Sequence, residues 1–159
     1  EIMNNISKTI IPDEVSMMEI QEVRAVLEGY IVKKAVENIT EEQIARLQEG
    51  IDRMAQVMAE GGNGSIQESD FHKGLAEATG NSALKSIYML CEELLSSAQH
   101  NAWRVARAIG ARITAVEEHQ AILDAIRSRD KNRAEMLIQA HMDYACENLR
   151  RMYEQEKTE

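Results

Sequence analysis

The chain has 159 residues, a formal net charge of −9 and a hydrophobic content of 44%, with a single proline. This length and hydrophobic content are enough for one domain with a buried core. A domain this acidic is unsuited to gripping nucleic-acid phosphates by itself, and no apolar run reaches transmembrane length. Cys91 and Cys146 form neither a CxxC motif nor a disulfide framework, so we interpret them as reduced thiols and expect a cytoplasmic protein.

The first half of the chain predicts a connector and three helices. Residues 1–14 show little periodicity and are expected to be a linker. Apolar residues then recur at helical spacing over residues 15–38, in the stripe Ile20, Val23, Leu27 and Ile31. Capping boxes at Thr40 and at Ser65 begin a second and a third helix. The second box gives Glu68 an ordinary explanation, because its carboxylate can cap the helix backbone.

The second half predicts three more helices and no strand. The fourth helix covers residues 82–108, with the apolar stripe Leu84, Ile87, Cys91, Leu94 and Ala98. Gly110 is expected to break the chain before a fifth helix over residues 111–127, and Asp130 or Asn132 begins a sixth. The predicted fold class is all-α, an antiparallel bundle of about six helices, because short loops make successive helices neighbours.

Three histidines and one carboxylate are candidate metal ligands. Glu68 and His72 are four residues apart and therefore share one face of the third helix. His119 and His141 each lie within the apolar stripe of a later helix, where an imidazole must find a partner or stay neutral. Neutral imidazole is also a good ligand for transition metals. A hydrogen-bonded core role is the alternative for each histidine taken alone.

Three further residues have positions that bear on the site. Asp70 is only two residues from His72 and is expected to point elsewhere on the helix. His100 lies off the stripe of its helix and is expected to face solvent. Arg24 lies beside the first stripe, where its spacing favours a pair with Glu28 at the helix edge over a cation aimed into a cavity. We find no HExxH, GxSxG, P-loop or dinucleotide motif.

At this point several motifs, taken in order, resemble the FCD domain, the effector-binding C-terminal domain of FadR-type regulators in the GntR family. The resemblance covers about residues 15–153. Its motifs are EVRAVLE at 22–28, ESDFHKGLAEATGN at 68–81 and EHQAILDAI at 118–126, followed by Asp130, Ala134 and His141.

The resemblance implies a metal bound by an acidic residue and three histidines, with a small organic acid binding beside it. Carried onto this chain, the metal ligands are Glu68, His72, His119 and His141. Arg24 matches the first-helix arginine and is the expected ligand-binding residue. The family usually has Asp where this chain has Glu68, whose longer side chain can still ligate. Zinc is the expected metal, with nickel and manganese as alternatives.

The resemblance also implies how the chain takes part in transcription regulation. Residues 1–14 are expected to be an interdomain linker and residues 15–159 an effector-binding and dimerisation domain. A winged-helix DNA-binding domain is expected upstream, outside this chain, which agrees with the lack of an initiator Met. The expected protein is a homodimer that is not an enzyme and does not contact membranes. A mononuclear metal-dependent enzyme and a structural helical bundle without metal are the alternatives.

Overall fold

The computed structural model describes residues 13–110 and 113–158, and within them it contains six α-helices and no strand. This confirms the predicted all-α helical bundle. Most of the expected linker, residues 1–12, lies outside the described residues. The helices are α1 Glu14–Asn38, α2 Glu41–Ala59, α3 Ser65–Ala78, α4 Ser82–Ala108, α5 Ala115–Arg127 and α6 Lys131–Glu156.

Side-chain caps explain where four of the helices begin. The capping residues Asp13, Thr40, Asn81 and Asp130 each accept a hydrogen bond from a backbone N–H three residues later. Such caps satisfy amide groups that have no partner within the helix. The capping box predicted at Thr40 is present in full, because the Gln43 side chain also accepts from the Thr40 N–H.

The second predicted capping box is wrong. The N-cap of α3 is Gly64, which has no side chain to act as a cap, and Ser65 is already the first residue, with its N–H donating to Asn63 Oδ1. A side chain at Gly64 would meet the Trp103 ring at 2.8 Å, so the start of α3 packs closely against α4. The Glu68 carboxylate is therefore free of the capping role and is directed into the bundle.

The predicted start of α5 is also wrong. Ala111 and Arg112 lie outside the described residues, Ile113 and Thr114 are not helical, and α5 begins at Ala115. Gly110, with a φ of 69°, breaks the chain as expected, because glycine adopts this left-handed conformation at low cost. The polar Thr114 takes the N-cap position.

The apolar stripes predicted for α1 and α4 match the buried faces only in part, since Ile31 and the α4 residues Leu84, Cys91 and Ala98 are buried. Val23 on α1 is 51% exposed and Ile87 on α4 is 55% exposed. The buried faces instead include polar residues of two kinds, the charged Arg24, Glu28 and Glu92 and the uncharged Gln21 and Tyr88. Hydrophobic periodicity located these helices correctly but found only part of their inner faces, since the inner faces also carry charged residues.

The bundle has two apolar clusters along its length. Helix α1 packs against α3, α4 and α6, most extensively against α6. The larger cluster joins the C-terminal half of α1 to α2, α3 and α5 and to the first halves of α4 and α6. The smaller one contains Met17, Leu95, Ala98, Ala102, Leu149 and Met152. Along α1, α4 and α6 the buried polar residues fall between the two clusters, at mid-height.

Candidate functional site

The four predicted metal ligands come together from three helices. Glu68 and His72 lie on α3, His119 on α5 and His141 on α6, and all four are buried. One ligand atom from each lies within 4.8 Å of the others. His141 Nε2 is 3.1 Å from His72 Nε2, 3.3 Å from His119 Nε2 and 2.8 Å from Glu68 Oε1. Glu68 also lies 3.2 Å from His72 and 3.4 Å from His119.

These separations fit a shared metal ion. Ligand atoms at about 2.1 Å from one transition ion lie about 3.0–3.4 Å apart at octahedral or tetrahedral angles. Three imidazole nitrogens and one carboxylate oxygen are a donor set suited to zinc and its neighbours. The residues present therefore fit the metal that the sequence motifs imply.

Carboxylates behind two of the histidines determine which nitrogen faces the centre. His141 Nδ1 lies 2.5 Å from Glu118 Oε2, and His72 Nδ1 lies 2.8 Å from Glu28 Oε1. A carboxylate beside Nδ1 favours the proton on that nitrogen and leaves the lone pair on Nε2. Glu118 does this for His141 through a hydrogen bond, whereas His72 Nδ1 makes no hydrogen bond and Glu28 acts on it through its charge. In that tautomer the Nε2 lone pairs of His72 and His141 face each other at 3.1 Å, an arrangement that a cation between them stabilises.

An aromatic ring orients the third histidine. The Phe71 ring stacks on His119 with centroids 4.0 Å apart and an angle of 11° between the planes. His119 Nδ1 has no hydrogen-bond partner among the described residues. Burial therefore dominates at this residue and lowers the pKa of His119 to about 4, so the ring is neutral and able to ligate.

The side chains of the cluster shift one another's pKa values. Burial disfavours ionisation of Glu68, but the facing His141 and His119 outweigh burial and hold the pKa of Glu68 well below its usual range. Burial likewise opposes the charged form of His141, yet Glu68 and Glu118 raise the pKa of His141 to about 9. A metal ion and a proton therefore compete for His141, because only the neutral imidazole ligates.

Arg24 is fully buried next to the cluster rather than at the helix edge. Its Nε lies 2.7 Å from Glu92 Oε1 and donates to the Tyr88 hydroxyl at 3.1 Å. The pair expected with Glu28 is longer, at 3.9 Å from Arg24 Nη2. The Tyr88 hydroxyl in turn donates to Glu28 at 2.5 Å. Arg24 Nη2 has no hydrogen-bond partner among the described residues.

A pocket lies beside the cluster of Glu68 and the three histidines and extends toward the smaller apolar cluster. Its cavity volume is about 50 Å³, within a larger space of about 570 Å³ that includes solvent at its mouth. Glu68, His141 and Arg24 line it together with Gln21, Gln99, Ala102, Trp103, Ala106, Ile113, Ala115, Tyr144, Ala145, Asn148 and Leu149. The unpartnered Nη2 of Arg24 thus belongs to a residue in the pocket wall.

Two residues that the sequence set apart lie away from the cluster. Asp70 is exposed, although it is only two residues from His72. His100 is also exposed, and its Nδ1 lies 3.1 Å from the Ser65 hydroxyl. Both positions agree with the helix faces predicted from spacing.

Sequence reasoning missed most of the residues that support the cluster. Tyr88 and Glu92 hold Arg24, and Glu118 holds His141, but none had been singled out for these contacts. A signal was available for Tyr88 and Glu92. They follow Leu84 at successive four-residue steps, so a charged residue and a tyrosine share the inner face of α4. The stack of Phe71 on His119 needs two different helices and left no signal in the spacing.

The family is decided by a match to the family model described as "FCD domain", which covers residues 19–144. The chain belongs to the FCD domain family. This confirms the resemblance found in the sequence. This chain is 28% identical over 141 residues to the HTH-type transcriptional repressor NanR of Cronobacter sakazakii, and the match covers 89% of this chain and 54% of the relative.

Other relatives carry names of the same kind. The HTH-type transcriptional regulator LutR of Bacillus subtilis is 26% identical over 145 residues, covering 89% of this chain and 66% of the relative. These are names of transcriptional regulators, in agreement with the expectation that the FCD domain is not an enzyme. The chain spans about half the length of the NanR relatives that it matches.

Two solved structures share the fold. Streptococcus agalactiae GntR superposes with a TM-score of 0.70 at 20% identity, covering 87% of this chain and 62% of that one. E. coli McbR/YncC superposes with a TM-score of 0.74 at 20% identity, covering 91% and 67%. No helix in the described part of the FCD domain has the length and apolar character needed to cross a bilayer.

Proposed function

We propose that this FCD domain is the effector-sensing part of a GntR-family transcriptional regulator and binds a small carboxylate at a divalent metal. The metal ligands are Glu68, His72, His119 and His141. The observation that carries the proposal is the convergence of three Nε2 atoms and one carboxylate, with five of their six pairs at separations of 2.8–3.4 Å and all within 4.8 Å. The carboxylates behind His72 and His141 support it by directing both lone pairs to one point.

The metal ligands and Arg24 have different roles in binding an acid. A divalent transition ion, when bound, supplies positive charge and open coordination positions for carboxylate oxygens. Arg24 offers its unpartnered Nη2 as a charge-assisted donor to the same acid. Glu92 and Tyr88 hold the guanidinium in place. Zinc is the metal we expect, with nickel and manganese as alternatives, because all three accept imidazole and carboxylate ligands.

Regulation requires the acid to bind two conformations with different affinity. A coupling free energy of about 1–3 kcal/mol between effector and DNA is typical of such proteins. We assign DNA contact to the upstream winged-helix domain that the family resemblance implies, and the acidic balance of this chain agrees with that assignment. The names of the relatives support this regulatory role.

The metal is tested by elemental analysis of purified protein and by calorimetric titration with zinc, nickel and manganese. Glu68→Gln is expected to weaken binding because it removes the anionic ligand, whereas the matched exposed change Asp70→Asn leaves affinity unaltered. Protein that contains no metal and takes none up on dialysis would favour a purely structural bundle. A silent Glu68→Gln together with a damaging Asp70→Asn would show that the ligand assignment is wrong.

The effector is tested by thermal-shift screening of organic acids with and without metal. An acid that binds only the folded protein raises its melting temperature by mass action. We expect stabilisation by at least one acid in the metal-loaded protein and a smaller effect after chelation. If no acid stabilises either form, the sensor proposal fails.

We also propose that residues 15–159 act as a dimerisation domain. Regulators that read two half-sites are two-fold symmetric, so the dimer mirrors the operator. Exposed apolar side chains on α1 (Val23, Val26 and Tyr30) and on α4 (Ile87) support the expectation that one of these helices supplies the contact surface. Light scattering at micromolar concentration is expected to give the mass of two chains, and a monomer would contradict this.

A further inference from the structure

Four buried side chains form a polar network between α1 and α4, behind the candidate metal ligands. Arg24 and Glu28 on α1 are four residues apart, as are Tyr88 and Glu92 on α4, so each pair shares one helix face. All four are at most 2% exposed. The Tyr88 hydroxyl lies at their centre, 2.5 Å from Glu28 Oε1. The same oxygen is 3.1 Å from Arg24 Nε and 3.1 Å from Glu92 Oε1.

Both carboxylates of this network also contact α3, the helix that carries two of the candidate metal ligands. Glu28 Oε1 lies 2.8 Å from Nδ1 of the ligand His72. Glu92 Oε2 accepts a hydrogen bond of 2.5 Å from Ser69 Oγ, and Ser69 follows the ligand Glu68 directly in the chain. The placement of the two carboxylates therefore bears on both ligands of α3.

The hydroxyl of Tyr88 has one proton to donate, and the distances indicate that Glu28 receives it. Burial raises the pKa of Tyr88 well above its usual range, so the hydroxyl keeps this proton. Glu92 has a second partner close by, because its Oε1 lies 2.7 Å from Arg24 Nε. For Glu28 the guanidinium is more distant, at 3.9 Å from Arg24 Nη2, and its Oε2 makes no hydrogen bond among the described residues.

Two positions are open to the Glu28 carboxylate, one against His72 and one against Arg24 Nη2. Nη2 has no hydrogen-bond partner within the described structure, so it can accept a carboxylate as a neighbour. A buried carboxylate that loses its hydrogen-bond donor finds another or takes up a proton. Without the Tyr88 hydroxyl, Glu28 is therefore expected to close on the guanidinium or to become neutral. Either change removes the charge that favours a proton on His72 Nδ1.

We infer that Tyr88 is a positioning residue for the candidate metal site, because its hydroxyl keeps Glu28 against His72 and Glu28 directs His72 Nε2 toward the ion. The inference rests on the proposed function, since it requires a metal at the histidines. Tyr88 is not among the described residues that line the pocket. It acts on the metal through Glu28 alone, in the way that outer-shell partners orient a metal ligand.

The inference is tested by calorimetric titration of zinc into the parent protein and into Tyr88→Phe, which removes the hydroxyl and keeps the ring. We expect Tyr88→Phe to bind zinc about tenfold more weakly, at the lower end of the range for outer-shell partners. Tyr153→Phe is the control, because Tyr153 is a half-buried tyrosine that packs against the smaller apolar cluster. Its zinc affinity is expected to equal that of the parent, and thermal melting checks that both variants are folded.

Double variants separate positioning from a general loosening of the fold. Tyr88→Phe and Glu28→Gln act through one contact, so combining them is expected to weaken zinc binding little more than Glu28→Gln alone. Glu118 supports His141 from another direction. Tyr88→Phe is therefore expected to cause its full loss of affinity when it is added to Glu118→Gln. A loosened fold would cause the same loss in both backgrounds.

The outcomes distinguish this inference from the proposed function. If folded Tyr88→Phe binds zinc as tightly as the parent, the positioning role is wrong and the metal centre stands. An equal loss from Tyr88→Phe in the Glu28→Gln and Glu118→Gln backgrounds would also overturn the role. If the parent protein takes up no zinc, the proposed metal centre and the role of Tyr88 fall together.

Discussion

Two successive stretches of the inner face of α1 are chemically opposite. After the buried Met17 comes a polar half, in which the buried side chains are Gln21, Arg24 and Glu28, and it is followed by an apolar half, in which they include Ile31, Val32 and Ala35. The polar half faces the histidine cluster and its pocket, and the apolar half belongs to the larger cluster. One continuous helix therefore serves both as a wall of the candidate site and as part of the core.

This difference indicates that the apolar half of α1 mainly stabilises the fold and that the polar half mainly contributes to binding the metal and the acid. Burying a large aliphatic side chain contributes about 1.5–3 kcal/mol. Burying a charged network costs hydration that its ion pairs roughly repay, so its net contribution is small while the network is complete. We therefore expect changes in the polar half to act on binding and changes in the apolar half to act on unfolding, unless a buried charge is left alone.

The largest expected effect comes from removing a direct ligand. Losing a residue that only supports a metal ligand typically lowers metal affinity about 10–100-fold. His141→Ala is expected to lower it further, because His141 contacts all three other ligands. Calorimetric titration with zinc measures it. His100→Ala is the control, and a comparable loss there would show that metal binds outside the cluster.

Arg24→Met tests the case in which a change in the polar half leaves buried charges without a partner. It removes the guanidinium that faces Glu28 and Glu92, and leaving buried carboxylates without their cation costs about 3–5 kcal/mol. Denaturant unfolding is expected to show this loss, and acid binding is expected to fall as well. A variant as stable as the parent would mean that the two carboxylates take up protons when the arginine is gone.

Ile31→Ala tests the apolar half. Ile31 is fully buried in the larger cluster, so its truncation is expected to cost about 2–5 kcal/mol of unfolding free energy. Metal stoichiometry in the folded variant should remain that of the parent. If metal binding falls while stability is retained, the two halves of α1 are not the separate units described above.

Glu118→Gln has the smallest expected effect. Glu118 holds the Nδ1 proton of His141, and the loss of such a partner lowers metal affinity about 10–100-fold. The exposed neighbour Glu117 provides the matched control Glu117→Gln. Equal affinities for the two variants in zinc titrations would show that Glu118 does not orient the histidine.

Local sequence signals predicted the helices better than their inner faces. Caps such as Thr40 and Asp130 depend on residues three positions apart, so both were visible in the chain. The rotation of α1 was not visible, because Val23 is apolar and exposed while Arg24 is charged and buried. Periodicity assumes that apolar residues face inward, and this assumption fails where a helix lines a polar site.

The sequence by itself determined the six helices, the family, and the histidines and glutamate that meet at mid-height in the bundle. These follow from short-range spacing and from motifs that keep their order along the chain. Only the tertiary structure decided what lies behind and beside them. Glu118 behind His141, Glu92 beside Arg24 and the amides of the pocket come from residues on different helices, and the rotation of each helix about its axis is set by packing.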